Sequence, residues 1–249
     1  MRQLKLGKKF PDLCNTLKLS NYTTSSLPAP PASVNWAGNI ANWGMMLNDK
    51  YGNCTCACGG HLVMVWTDAE TGTPVVVPDE AVLAMYEAVS GFNPATGAND
   101  NGAVISQVLR HWHKHGLNGH RIAGYAYVDP TNETLLKQAV NLFGGLDIGL
   151  ALPVSAQAQV GQIWDVPVGG AQGAGQPGSW GGHCVPIVGY SDAGLTCVTW
   201  GQLQSMTWNF FNTYADEAWA VLSPDWTVKN GVSPEGFNAG QLVDDLRQL

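Results

Sequence analysis

The chain has 249 residues, 45% apolar and 12% charged, and its 19 acidic against 12 basic side chains leave a formal charge of −7. A chain of this length buries about 70–75% of its unfolded surface and folds without a metal or disulfide staple, and its apolar share excludes a disordered polymer. The acidic balance argues against nucleic acid as a partner, because phosphate binding needs a basic stripe and only 5–9 and 110–121 come near one.

Residues 1–33 end in the run Leu27-Pro-Ala-Pro-Pro-Ala-Ser33, which predicts an extended N-terminal arm that wraps the body, since proline removes donors and biases its predecessor to extended backbone. A buried helix is expected from Cys54 to Trp66, with Gly59 and Gly60 as its blemishes. Asp79 is placed to cap a second helix that stops at Gly91, and a third runs from Gly102 to His115. Further on, the pattern predicts a strand over 121–128, a helix capped near Asn132, and a strand over 146–154. Beyond a glycine-rich loop come two short strands, His183–Tyr190 and Leu195–Gly201, joined by the turn Ser191–Gly194. A helix over 205–214, a strand over 217–223 and a C-terminal helix over 238–249 complete the map. Helices fill the first half and strands the second, so the expected class is α+β, with a helical lobe over about 34–120 and a sheet-rich lobe over about 121–230. No apolar run of about 18 residues exists and the charged N-terminus has no apolar stretch, so no membrane partner is expected and the expected location is cytoplasmic.

Six cysteines, three of them packed as Cys54, Cys56 and Cys58, read as thiols rather than as a disulfide framework. Cys54 stands at a helix N-terminus, where partial positive charge and unpaired N–H groups favour a thiolate. His183 opens a strand directly after a Gly-Gly pair, placed to project toward a cleft as the base a thiol nucleophile needs.

In order along the chain, SVNWAGNIANWGMMLNDKYGNCTCACGGH, NETLLKQAVNLFGGLDIGLALPVSAQ, GGHCVPIVGY and CVTWG resemble the papain-like cysteine peptidase superfamily from Val34 to Leu222. The resemblance implies a helical left lobe, an antiparallel right lobe and a cleft between them. It also implies thiol-dependent hydrolysis of a peptide or protein substrate, without a cofactor. Asn48, six residues before Cys54, takes the place of the family's oxyanion glutamine, and Trp200 is expected over the His183 ring. Aligned on Trp200, the family's orienting asparagine falls on Val198; counted from His183 it falls on Thr199, whose hydroxyl is the candidate orienting group. Asp100 and Asn101 resemble the family's glycine-rich substrate edge, with an ordinary loop as the alternative.

The helix start Asn-Cys-Thr-Cys-Ala-Cys replaces the family's Cys-Gly-Ser-Cys-Trp and resembles papain-like proteins of phages and bacteria. The rival function is a non-catalytic binding module, or a structural one associated with a virion or other assembly, that keeps this fold after losing the orienting residue. Two metal readings are weaker. Cys54, Cys58 and His61 share a helix face, but a structural zinc site draws its ligand pairs from separate elements. Among His111, His113, His115 and His120, only His111 and His115 share a face, so solvated histidines are the default and no metal is expected. If the enzyme is active, its control is expected from its location or from the arm lying in the cleft.

Overall fold

The computed structural model describes residues 4–227 and 236–248. The first three residues of the arm, the stretch 228–235 at the end of the expected sheet-rich lobe, and Leu249 of the expected C-terminal helix lie outside them.

Helix α1 (Cys54–Thr71) is buried at every position from Cys54 to Asp68, and its neighbours come too close for side chains at both glycines. A Cβ on Gly60 would meet Met46 Sδ at 2.5 Å, and one on Gly59 would meet the Trp112 ring at 3.1 Å. The two glycines are thus points of close approach rather than weaknesses. The helix runs a turn past Trp66 and stops at Gly72, whose φ of 75° turns its N–H back to the Asp68 carbonyl. Helix α2 (Asp79–Ser90) begins at Asp79 itself, with Pro78 in the cap position, so Asp79 and Glu80 act on the helix dipole rather than as caps. Helix α3 (Ile105–His115) starts three residues later than the pattern predicts, because Gly102 has φ of 75° and Ala103 pairs with the arm.

The second half forms one sheet with strands β2 (Gly124–Val128), β3 (Leu146–Leu152), β4 (Ile163–Trp164), β5 (Gly181–Ser191), β6 (Gly194–Thr199), β7 (Gln202–Met206) and β8 (Ala215–Leu222). Their order is β2-β8-β3-β5-β6-β7-β4, and β1 (Val34–Asn35) pairs with β5. Every pairing is antiparallel except β4 with β7. Strands β4 and β7 are absent from the expected map, and the helix expected from Ser205 begins at Trp208 as α5 (Trp208–Tyr214). Helix α4 (Glu133–Phe143) is capped by Asn132, whose Oδ1 accepts from Leu135 N–H at 3.0 Å. Helices α6 (Pro224–Thr227) and α7 (Ala239–Leu246) follow β8.

The architecture is therefore α+β. One core lies between the sheet and α4, α5 and α7, and another gathers α1, α2 and α3. Helix α1 packs on β5, and that contact brings the start of α1 to the start of β5. Among the described residues no helix is long and apolar enough to cross a membrane.

Candidate active site

Cys54 is the first residue of α1 and is 1% exposed. The backbones of Cys184, Gly7 and Thr55 lie near its sulfur. Burial nevertheless dominates and pushes the thiol up to about 11, against the opposing pull of those backbone groups and of Lys8. The sulfur therefore lies beside the residue next to His183.

His183 is fully buried on β5. Its Nε2 lies 2.6 Å from Thr199 Oγ1 on β6, and Nδ1 is buried with no hydrogen-bond partner. The Trp200 ring stacks on the imidazole at 4.4 Å and 14°. Trp200 holds φ of 46°, a strained value for a side-chain-bearing residue, and its Nε1 donates to Lys5 O at 3.1 Å. Burial pushes the imidazole down to about 3. Nε2 and Thr199 Oγ1 share one hydrogen; the tautomer that carries it on Nε2 leaves Nδ1 free to accept a proton.

Asn48 is buried in the loop before α1, and its Nδ2 donates to Tyr51 O and to Asn53 Oδ1, each at 3.3 Å. Asn53 in turn donates to Met46 O at 2.8 Å, across a loop in which Met46 and Leu47 both have positive φ. Asp100 Oδ1 accepts from Gly52 N–H and from Tyr86 O–H, both at 2.8 Å, and so fastens the 100–103 edge to the loop before Cys54. Asn101 is exposed, and its N–H bonds to Asn99 O.

The arm runs between these parts. Lys8 N–H donates to Gly182 O, Lys9 N–H to Ala103 O, and Ala103 N–H to Gly7 O, at 2.8–3.0 Å. Gly182 belongs to the sheet and Ala103 to the helical side, so the arm lies extended across the cleft and covers Cys54. The Lys8 side chain, 1% exposed, places Nζ 2.9 Å from Asp216 Oδ2 and 3.2 Å from Glu217 Oε1. Sequence reasoning missed Gly7, Lys8, Ala103, Gly149, Gly182, Asp216 and Glu217. A paired acid inside the apolar run of β8 was the available signal.

Cys54, Cys58 and His61 do not form one cluster: His61 Nε2 lies 3.2 Å from Gly44 O. Among the described residues, the ligand-type atoms that converge are those of Cys58, Asp147 and Cys184, all within 4.8 Å of one another and all buried. Cys184 Sγ donates to Asp147 Oδ1 at 3.0 Å. The His111 and His115 rings lie 4.5 Å apart, while His113 bonds to Ile122 O and His120 to Asp225.

No protein-family model matches the sequence, and a search of curated proteins finds no match. Solved structures do match. Xylellain, a cysteine protease from Xylella fastidiosa, is similar at TM-score 0.66 and 15% identity over 89% of this chain and 97% of its own. Digestive procathepsin L 3 from larval midgut of Tenebrio molitor is similar at TM-score 0.56 and 13% identity, over 89% of this chain and 76% of its own. Procathepsin B S9 of Trypanosoma congolense is similar at TM-score 0.57 and 11% identity, over 88% of this chain and 86% of its own. The fold is papain-like.

Proposed function

We propose that the chain is a thiol-dependent hydrolase of peptide or amide bonds, a cysteine peptidase or amidase, acting on a peptide or protein. The observation that carries this reading is the arm itself. An extended peptide is held over Cys54 by main-chain hydrogen bonds to both sides of the cleft, a mode in which backbone gives affinity and pockets give selectivity.

The Cys54 sulfur attacks the substrate carbonyl carbon, forming the C–S bond, while His183 Nδ1 takes the thiol proton. The oxyanion is met by the Cys54 backbone N–H and by one Asn48 amide hydrogen, which must leave Tyr51 O or Asn53 Oδ1 to reach it. His183 passes its proton to the leaving amine as the C–N bond breaks. Water, deprotonated by His183, then attacks the thioester carbonyl; the C–S bond breaks, the acid product leaves, and His183 returns the proton to the Cys54 sulfur. Thr199 holds the ring through Nε2, and Trp200 shields it. The seated arm brings the backbone of Gly7 close to the sulfur, so the closed chain is a self-covered state.

The rival reading is a binding module, free of catalysis by virtue of its neutral, desolvated thiol, attached to a virion or other assembly. The test is turnover of a fluorogenic peptide mixture by a Gly7→Ala chain, beside the same chain carrying Cys54→Ala. Turnover that vanishes with the sulfur supports the hydrolase, whereas binding without turnover in both chains establishes the binding module.

A further inference from the structure

The contact that seats the arm is chemically selective. In a regular strand consecutive side chains face opposite ways. The pairing of β3 with β8 shifts register between Gly149 and Leu150, so that Gly149 pairs with Glu217 and Leu150 with Ala215. Asp216 is the extra residue, and such a bulge re-aims side chains. Asp216 and Glu217 consequently converge on one ammonium group.

Lys8 Nζ donates to Asp216 Oδ2 at 2.9 Å and to the Lys9 carbonyl at 3.1 Å, and forms an ion pair with Glu217 Oε1 at 3.2 Å. Trp219 Nε1 donates to Glu217 Oε2 at 2.8 Å, which fixes the carboxylate and leaves Oε1 for the cation. Gly149 makes the room. A Cβ there would stand 2.1 Å from Lys8 Cε and 2.7 Å from both Asp216 Oδ1 and Glu217 Cγ. Glu217 is fully buried, and burial of its charge without a partner is costly. A cation offsets that cost, and a neutral side chain of the same length does not.

We propose that Asp216 and Glu217, over the Gly149 floor, form the recognition pocket for a Lys or Arg side chain of the bound peptide, with Lys8 as its occupant in the closed chain. The proposal rests on the cleft being a peptide-binding groove, as read above. Lys8 is held through its backbone N–H to Gly182 O, on the residue preceding His183, so the pocket lies one side chain away from the candidate reacting groups. Substrates and arm then compete for one site, and a peptide with a basic residue displaces the arm better than a neutral one.

The test reads binding and needs no turnover. The full chain carries Gly7→Ala and Lys8→Ala to unseat the arm and Cys54→Ala to remove the sulfur. The probes are a fluorescent peptide with the sequence of residues 4–10 and its counterpart with norleucine in place of Lys8. The lysine peptide is expected to bind at least about tenfold more tightly by fluorescence polarisation, because the neutral one leaves a buried carboxylate unpaired. Glu217→Gln, and independently Asp216→Asn at the more open rim, should each remove most of that difference. Equal binding of the two peptides, no binding of either, or a preference that survives in every correctly folded pocket variant overturns the proposal. With Cys54 restored, equal cleavage of lysine and norleucine peptides would refute the pocket and leave the hydrolase. Selective binding with no cleavage would do the reverse.

Discussion

At pH 7 the Cys54 thiol, pushed up to about 11, and the His183 imidazole, pushed down to about 3, are both neutral, since each is desolvated while the arm is seated. The ring still needs a fixed orientation, and Thr199 Oγ1 supplies it to Nε2 at 2.6 Å. Thr199→Val removes the hydrogen-bond partner of a buried ring nitrogen and should lower stability by about 1–3 kcal/mol, the cost of an unsatisfied buried polar group. Its kinetic effect should be smaller than that of His183→Ala, because the Trp200 stack still restrains the ring. Chemical denaturation and Cys54 labelling rates in an arm-displaced chain check both parts. A Thr199→Val chain as unreactive as His183→Ala would make the hydroxyl indispensable to the pair.

Between α1, β3 and β5 lies the buried carboxyl of Asp147, pushed up to about 7 by burial and met by the Cys184 thiol. An ordinary aspartate ionises near 4, so the folded chain holds this proton to higher pH than the unfolded one. The stabilising contribution is complete below about pH 4 and is lost as pH rises toward 7, at about 1.4 kcal/mol for each pH unit across that interval. Asp147→Asn should therefore flatten the decline in denaturation midpoint between pH 5 and pH 8. Equal declines in both chains would contradict this. The principal elements were legible because apolar residues repeat at helix period in α4 and strand period in β2, while α1 and β5, buried nearly throughout, stand out as continuous apolar runs. Strand β7 was not, because Gln202-Leu-Gln-Ser-Met206 is mostly polar and is held partly by the buried Gln204 side chain, whose Oε1 accepts from Gly161 N–H at 2.8 Å. Hydrophobic pattern carries no trace of a side-chain amide that stands in for backbone pairing. The late start of α3 was hidden for a similar reason, since Ala103 is extended to pair with a segment almost a hundred residues upstream.

On the scale of the whole molecule, the relation of arm to cleft escapes local pattern altogether, because Lys8 and Asp216 are 208 residues apart. The proline run marks an extended segment, but only packing reveals where it lies. Gly7 passes through a gap that admits backbone alone: a Cβ on it would stand 1.8 Å from Gly52 O, and one on Gly102 would stand 1.9 Å from Gly7 O. Gly7→Ala should therefore expel the arm from the cleft, at the loss of its hydrogen bonds to Gly182 and Ala103. Water then reaches the cleft, which lowers the Cys54 pKa and raises that of His183, so the thiolate population at neutral pH grows about tenfold for each pH unit by which the thiol's pKa falls. In the unaltered chain Cys14, the exposed cysteine of the six, should be alkylated first although helix position alone favours Cys54. In Gly7→Ala the Cys54 rate should rise at least about tenfold relative to Cys14, and His183→Ala in that background should reverse the gain. Iodoacetamide labelling with peptide mapping measures both thiols in one sample, with Cys14 as the internal reference. An unchanged Cys54 rate in Gly7→Ala would mean that the arm does not control access to the sulfur.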